Sequence, residues 1–416
     1  MTSPPEPVYR RRDLVLFIAG RFLSSVAMLV QSVAVGWEIY DLTRDPLALG
    51  LVGLCQFVPM FLLTLPAGDI ADRFDQRRIF TLAVTAEAMA SGMFLALTFA
   101  HTHVVWPFYC VLVFFGAARG IAGPASQSLL PFLVPRERLP RAIAFSSSSL
   151  QVAVLTGPAL GGFLYALGPA FAYGVCCASF LAAGAVALFL RGRRREPGAE
   201  TLTTAVERVA EGVRFVRTRP VILGAISLDL FAVLLGGATA LLPIYARDIL
   251  HVGPMGLGFL RSAPAIGAAI VAGLLGRKPL ARHAGRVMFS AVAVFGIATI
   301  VFGLSTNFYL SLGALATLGA ADMLSVFIRQ SLIQFSTPDA MRGRVSAVSV
   351  LFIGASNELG EFESGLTAAW FGTVPAVVIG GIGTLIVVGA WMGLFPRLRR
   401  VDRLTDVTAE AGSSST

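Results

Sequence analysis

Lysine is almost missing from this chain: Lys278 stands alone among 33 basic residues. A phosphate-cradling Walker loop needs a lysine followed by serine or threonine. Lys278 is followed by Pro279, so the chain is not itself an ATP-driven pump of that type. Histidine is nearly as scarce. His101, His103, His251 and His283 all fall in loops or at the ends of hydrophobic runs. None can complete a nucleophile–histidine pair inside a run, and His101 with His103 lacks a third metal ligand. No enzyme activity, metal or cofactor is expected. Cysteine is limited to Cys55, Cys110, Cys176 and Cys177, each within an apolar run. These read as small buried hydrophobes, not as a disulfide framework. Charge is thin throughout, at 14% of residues against 56% hydrophobic, far from the soluble norm.

What fills the chain instead is about twelve hydrophobic stretches, each long enough to cross a hydrocarbon core of roughly 30 Å as a helix. Their approximate cores are 14–40, 47–70, 79–100, 105–133, 142–167 and 170–190, then 220–244, 256–275, 287–304, 308–335, 345–370 and 375–395. The first follows Arg10, Arg11 and Arg12 directly; it is too long for a signal peptide and lacks a small-residue cleavage site, so it stays as a helix. Arginine fills every second gap. With a cytoplasmic N-terminus, the inner segments hold 27 of the 33 basic residues, and the outer loops only Arg44 and Arg247. Arg21, Arg119, Arg261 and Arg329 lie inside spans. Inner loops retain arginine because positive charge resists translocation. Twelve spans with both ends cytoplasmic satisfy this pattern, and a count changed by one destroys it. The net charge of +9 is therefore a topology signal, and nucleic acid is not an expected partner.

The chain also repeats itself. Residues 126–146 laid over 329–349 give 8 identities in 21 positions at an offset of 203, among them Gln127 with Gln330, Pro135 with Pro338 and Arg141 with Arg344. Six spans followed by six in the same orientation form a parallel repeat, the kind that rocks around a central site. The expected organisation is a six-helix bundle over 1–190, a cytoplasmic linker over 191–219, a second bundle over 220–396 and a tail over 397–416. In the linker, Val206, Val209, Val213 and Val216 recur at helical spacing with charges interleaved. This predicts a short amphipathic helix at the inner membrane surface.

The loop after the second span reads GDIADRFDQRR. Gly68, Ala71, Asp72, Arg73, Arg77 and Arg78 match the signature loop of the major facilitator superfamily, which this chain resembles; Asp75 replaces the usual second glycine. The fourth span carries Arg119 to Gly123, similar to that superfamily's R-x-x-q-G element, with Ala122 in place of glutamine. The fifth carries Gly157, Pro158, Gly161 and Gly162, similar to the G-P-x-x-G-G core associated with exporters. The resemblance implies an all-helical fold of two bundles and a gating role for these residues, while in plain packing terms glycines permit close helix approach. In the second half the equivalent loop starts at Gly273, and Arg277 stands where Asp72 would. Asp72 thus has no acidic counterpart in the second half. WEIYDLTRDPLALGLVGLCQFVP, SQSLLPFLVPRERL and SNELGEFESG further resemble the enterobactin-exporter and macrolide-efflux branch over most of 14–400.

A charge at mid-bilayer is costly, so each ionisable residue there is a functional hypothesis. At about 1.5 Å per residue, Arg119 and Asp322 lie at similar depth and are equivalent under the repeat. They can pair across the halves, or each can be satisfied within its own half. The eleventh span is the most acidic: Asn357 is followed by Glu358 and Glu361 on one face, with Glu363 on another, and Arg261 reaches a similar depth. Desolvation favours the protonated form of a carboxylate, and a nearby like charge reinforces this. With no histidine inside a span, the candidate proton carriers or substrate ligands are Glu358, Glu361, Asp322 and Asp229, with Arg261, Arg329 and Asn357 as partners. The same groups can instead form a satisfied structural network.

The resemblance implies proton-coupled efflux of an amphiphilic small molecule by alternating access, with the proton gradient as energy source. The protein would work as a monomer in the bacterial cytoplasmic membrane, in contact with lipid. It also implies a cavity lined by spans 1, 4, 7 and 10, where Phe22, Phe231, Tyr245 and Phe327 are wall candidates. A proton-coupled importer shares every one of these features except the Gly157–Gly162 element, and a non-transporting scaffold or sensor leaves the buried charges unexplained.

Overall fold

A computed structural model describes residues 11–73, 75–189, 205–277 and 282–404. Among these there is no strand. The helices are α1 (Arg11–Thr43), α2 (Pro46–Arg73), α3 (Gln76–Phe99), α4 (Trp106–Leu133), α5 (Leu139–Leu167), α6 (Pro169–Leu188), α7 (Ala205–Thr218) and α8 (Pro220–Leu235). They continue with α9 (Leu242–Ile244), α10 (Gly253–Arg277), α11 (Ala284–Leu304), α12 (Phe308–Ser336), α13 (Asp339–Phe371), α14 (Thr373–Leu394) and α15 (Pro396–Arg400). Eleven of the described helical segments are long and apolar enough to cross a membrane. The twelfth expected span lies in the 33-residue α13; Asn357, Glu358, Glu361 and Glu363 dilute its hydropathy.

Local chemistry explains the boundaries. Proline at the first or second position opens α4, α5, α6 and α8, where its missing N–H is not needed. Asn307 opens α12 by accepting from the amides of Tyr309 and Leu310. The fifth and sixth spans of each half meet at a glycine with positive φ, Gly168 at 138° and Gly372 at 89°, a region that side chains disfavour. The repeat is thus visible in the backbone.

The expected single span over 220–244 is interrupted. α8 ends at Leu235, and after Gly236 and Gly237 the chain runs through a 3₁₀ turn, the short α9 and a π-turn, Tyr245–Ile249. A Cβ on Gly237 would strike the carbonyl oxygen of Gly360, and one on Gly236 the ring of Phe295. Non-helical backbone at membrane depth is tolerated where protein surrounds it.

The chain divides into two compact units: Met1–Leu42 with Cys55–Ala205, and Thr43–Leu54 with Val206–Thr416. Helix α2 therefore begins in unit 2 and continues in unit 1. Unit 1 is built on α3 against α4 and α6, around Phe94, which stacks with Phe108 at 6.0 Å and Tyr173 at 5.4 Å. Unit 2 is built on α12 against α10 and α11, with α14 behind α11; Leu228, Met288, Ile328 and Leu332 form its core. The linker residues 191–204 and the tail residues 405–416 lie outside the described residues. The linker helix is present as α7, and its valines pack on protein: buried Val216 and half-buried Val209 and Val213 meet Ile222, Ile226, Ile333 and Val345, while the side chain of Val206 lies outside the described residues. Glu211 pairs with Arg344 at 2.6 Å, and Gly212 rests on the Arg344 carbonyl.

Candidate functional site

Four of the spans' charged residues meet in one cavity of unit 1 or beside it. The cavity has a volume of about 250 Å³. α1 presents Arg21, α3 presents Glu87 and α4 presents Arg119 and Ser126, while Met28, Met60 and Phe80 supply apolar wall. Arg21 donates to Ser146 at 2.7 Å and Arg119 to Gln56 at 3.3 Å. Glu87 is 6% exposed and lies within Coulombic reach of Arg119. Arg119 thus has partners inside its own unit, which is the second of the two arrangements its depth allowed. The fourth charge, Glu38, sits beyond the cavity, accepting from Tyr173 at 2.5 Å and Thr98 at 3.4 Å. Sequence reasoning missed Arg21, Glu87 and Glu38 as site residues because it followed the acidic cluster of the eleventh span. The signal was nevertheless there, since each is an ionisable residue inside a span.

Unit 2 holds two carboxylate groupings. In the first, Glu358 and Glu361 stand one turn apart on α13, and their Oε2 atoms converge on Gly53 of α2. A Cβ there would lie 3.4 and 3.0 Å from them. Arg261 on α10 is within Coulombic reach of Glu361. These three are the residues that helix depth had grouped. Gly50 repeats the close approach one turn earlier, its Cβ direction meeting the Phe362 carbonyl at 3.0 Å and the Gly365 Cα at 3.2 Å. Glu363 is satisfied separately, accepting from Thr367 at 2.7 Å, and Asn357 is exposed.

The second grouping narrows the expected network, in which the carboxylate partner of Arg329 was open. Arg329 pairs with Asp229, not with the acidic residues of α13. Both side chains are nearly sealed, at 2% and 7% exposure. Asp322 joins Asp229 and Ser325 on a cavity of only about 10 Å³, room for roughly one water. Tyr245 is corrected: its hydroxyl donates to the Gly303 carbonyl at 2.8 Å and its ring packs on Phe302 at 4.4 Å, so it is core. Phe231 packs on Trp391 at 5.2 Å, and Phe327 packs against the core of unit 2.

The motif residues have local structural roles. Side chains over 65–74, which include Gly68, Asp72 and Arg73, lie outside the described residues. Asp75, where the superfamily pattern has glycine, caps α3 by accepting from the Arg77 amide at 3.0 Å. The Arg77 guanidinium donates to the carbonyl of Leu188, at the C-terminal end of α6, where a cation suits the helix dipole. Arg78 is exposed, 3.8 Å from Asp75. In the fifth helix, Gly157 and Gly161 lie against α1: their Cβ directions meet Leu29 Cβ at 2.8 Å and Val30 Cα at 3.0 Å. Pro158 and Gly162 are buried beside them. Gly161→Ala is expected to destabilise unit 1 by about 1–3 kcal/mol through overpacking. Gly174→Ala, in open space on α6, should leave the melting midpoint unchanged. Equal midpoints for the two variants would contradict the packing role.

Comparison with known proteins agrees with this architecture. The sequence profile of the family described as transmembrane secretion effectors matches residues 3–412. An uncharacterised MFS-type transporter of Bacillus subtilis, YfiS, is 24% identical over 410 residues, covering 92% of this chain and 93% of its own. The enterobactin exporter EntS of Citrobacter koseri is 26% identical over 387 residues, covering 92% of each. Among solved structures, a bacterial homologue of the human lysosomal transporter Spinster, inward-facing and unoccupied, superposes with a TM-score of 0.70 at 15% identity, covering 98% of this chain and 99% of its own.

Proposed function

The chain belongs to the transmembrane secretion effector family of major facilitator transporters, a multi-pass membrane family, and on that footing we propose that it exports an amphiphilic small molecule in exchange for protons. It would do so as a monomer in the bacterial cytoplasmic membrane, with both termini cytoplasmic. The observation that carries the coupling is the meeting of Glu358, Glu361 and Arg261 inside the span region of unit 2. Two neighbouring carboxylates, one of them within Coulombic reach of an arginine, hold unequal numbers of protons in states of unequal hydration. A proton taken up there neutralises one carboxylate and weakens its hold on Arg261, biasing the packing of α10, α13 and the start of α2. Such a bias is what alternating access requires of its driving ion. Direction rests on the likeness to an exporter and on the Gly157–Gly162 element.

Reconstituted vesicles under an imposed pH gradient test the reading with a panel of dyes, macrolides and catecholate siderophores. Gradient-driven movement in Glu361→Gln or Glu358→Gln should fall at least roughly tenfold, a modest figure for removing a group from an obligatory proton path. Asp322→Asn is tested beside them as a further candidate carrier. Full gradient dependence in all three variants would reject coupling through these three carboxylates. Movement of a compound down the proton gradient's own direction would make the protein an importer.

A further inference from the structure

We propose that the cavity between α1, α3 and α4 of unit 1 is a binding site for the acidic headgroup of the transported amphiphile, held by Arg21 and Arg119. This rests on the transporter reading above and names its substrate class.

The argument begins with charge. Two guanidinium groups face one carboxylate, Glu87, among the cavity's lining side chains, leaving one positive charge in excess within a membrane span. Arg119 is balanced by Glu87 within Coulombic reach, while the side-chain partner of Arg21 is a neutral hydroxyl, Ser146. An unneutralised guanidinium away from bulk water attracts an oxyanion, and its planar donors suit one with two acceptor oxygens.

A second observation points independently to a ligand. Ser126 is 7% exposed, lines the cavity, and its Oγ has no hydrogen-bond partner among the described residues. Buried polar atoms are normally satisfied, so this hydroxyl is a donor held ready for an acceptor. The lining also includes apolar side chains, Met28, Met60 and Phe80. Thioethers and an aromatic ring suit a flat or aromatic body. At about 250 Å³ the space falls just below the roughly 300–1,000 Å³ of whole drug-sized sites. It fits a headgroup with its first ring.

The repeat supplies a comparison inside the same chain. Arg119 and Ser126 correspond to Asp322 and Arg329 at the offset of 203. In unit 2 that position is closed: Arg329 is sealed by Asp229 and only about 10 Å³ remains. In unit 1 a serine replaces the arginine and the space stays open. The two halves have taken the same place in the fold and given one an internal ion pair, the other a cationic cavity.

The test is a gradient-free binding measurement on the purified full-length protein in detergent, by calorimetry, using naphthoate, naphthamide and naphthylmethylamine as matched probes. Naphthoate is expected to bind at least about tenfold more tightly than the other two, the scale of one charge-assisted hydrogen bond. Arg21→Gln and Arg119→Gln should each lose that preference, and Arg119→Lys should keep part of it. Glu87→Gln should tighten naphthoate binding by removing the competing carboxylate, a gain that misfolding cannot imitate. Preference for the amine, equal binding of all three, unchanged naphthoate binding in both glutamine variants, or no naphthoate binding to folded wild type would each overturn the proposal. Because no gradient is applied, anion binding without vesicle transport would sink only the coupled-efflux reading. Transport without anion preference would sink only this one.

Discussion

Asp229→Asn is expected to destabilise the protein by about 3–5 kcal/mol, the cost of leaving a buried charge without its partner. Arg329 is the largest of the fully buried side chains, and its ion pair with Asp229 is closed to solvent on both sides. Asparagine preserves the shape but removes the compensating charge, and a guanidinium cannot shed its proton to escape. The reverse change, Arg329→Met, should cost less, because a lone carboxylate can neutralise itself by binding a proton. Replacing both residues at once, with Asp229→Leu and Arg329→Met, should recover most of the loss, since apolar side chains of similar volume often replace buried ion pairs without penalty. Thermal unfolding of the four proteins in detergent reads these differences. A wild-type midpoint in Asp229→Asn would mean that Arg329 is compensated elsewhere and that the pair is incidental.

Gly319→Ala should also destabilise the protein, by about 1–3 kcal/mol for one inserted methyl in a closed contact. A Cβ at Gly319 would fall within 2.5 Å of the Cα and carbonyl carbon of Pro264, atoms of backbone that no rotamer change can move. Gly267 returns the same contact from α10, facing the carbonyl of Ala316 and the Ala320 amide nitrogen. The two helices thus meet backbone to backbone at two points one turn apart. Without a hydrophobic driving force between helices in lipid, such close packing is a main source of helix association. Gly313→Ala in the same helix α12 meets nothing within 4 Å and should be neutral or slightly stabilising, as alanine is the better helix former. Similar midpoints for the two substitutions would show that α10 and α12 can separate without loss.

Much of the site was legible, though unevenly. Glu358, Glu361 and Arg261 were grouped correctly because depth follows from residue count along a helix whose ends are known. Which carboxylate Arg329 meets was left open, because depth alone does not say which way a side chain faces; the structure gives it Asp229 on α8. The break at Gly236 and Gly237 was hidden inside an apolar run, where hydropathy stays high whether or not the backbone remains helical. Asp75 departs from the signature loop yet keeps a purpose, since an aspartate before a helix is itself a capping signal. The valine stripe of α7 was read correctly as an apolar face, but an apolar face does not declare whether lipid or protein will cover it.

The sequence by itself determined the number and order of the helices. The physical reason is that hydrocarbon thickness sets their length and loop arginines resist crossing, both of which are properties of linear sequence. Only the tertiary structure decided which faces meet: Arg329 with Asp229, Glu358 and Glu361 around Gly53, Arg21 and Arg119 on one cavity. Spans that are apolar on every side carry little amphipathic signal to fix their rotation. That rotation is set by glycine contacts and buried charges on neighbouring helices, far away in the chain.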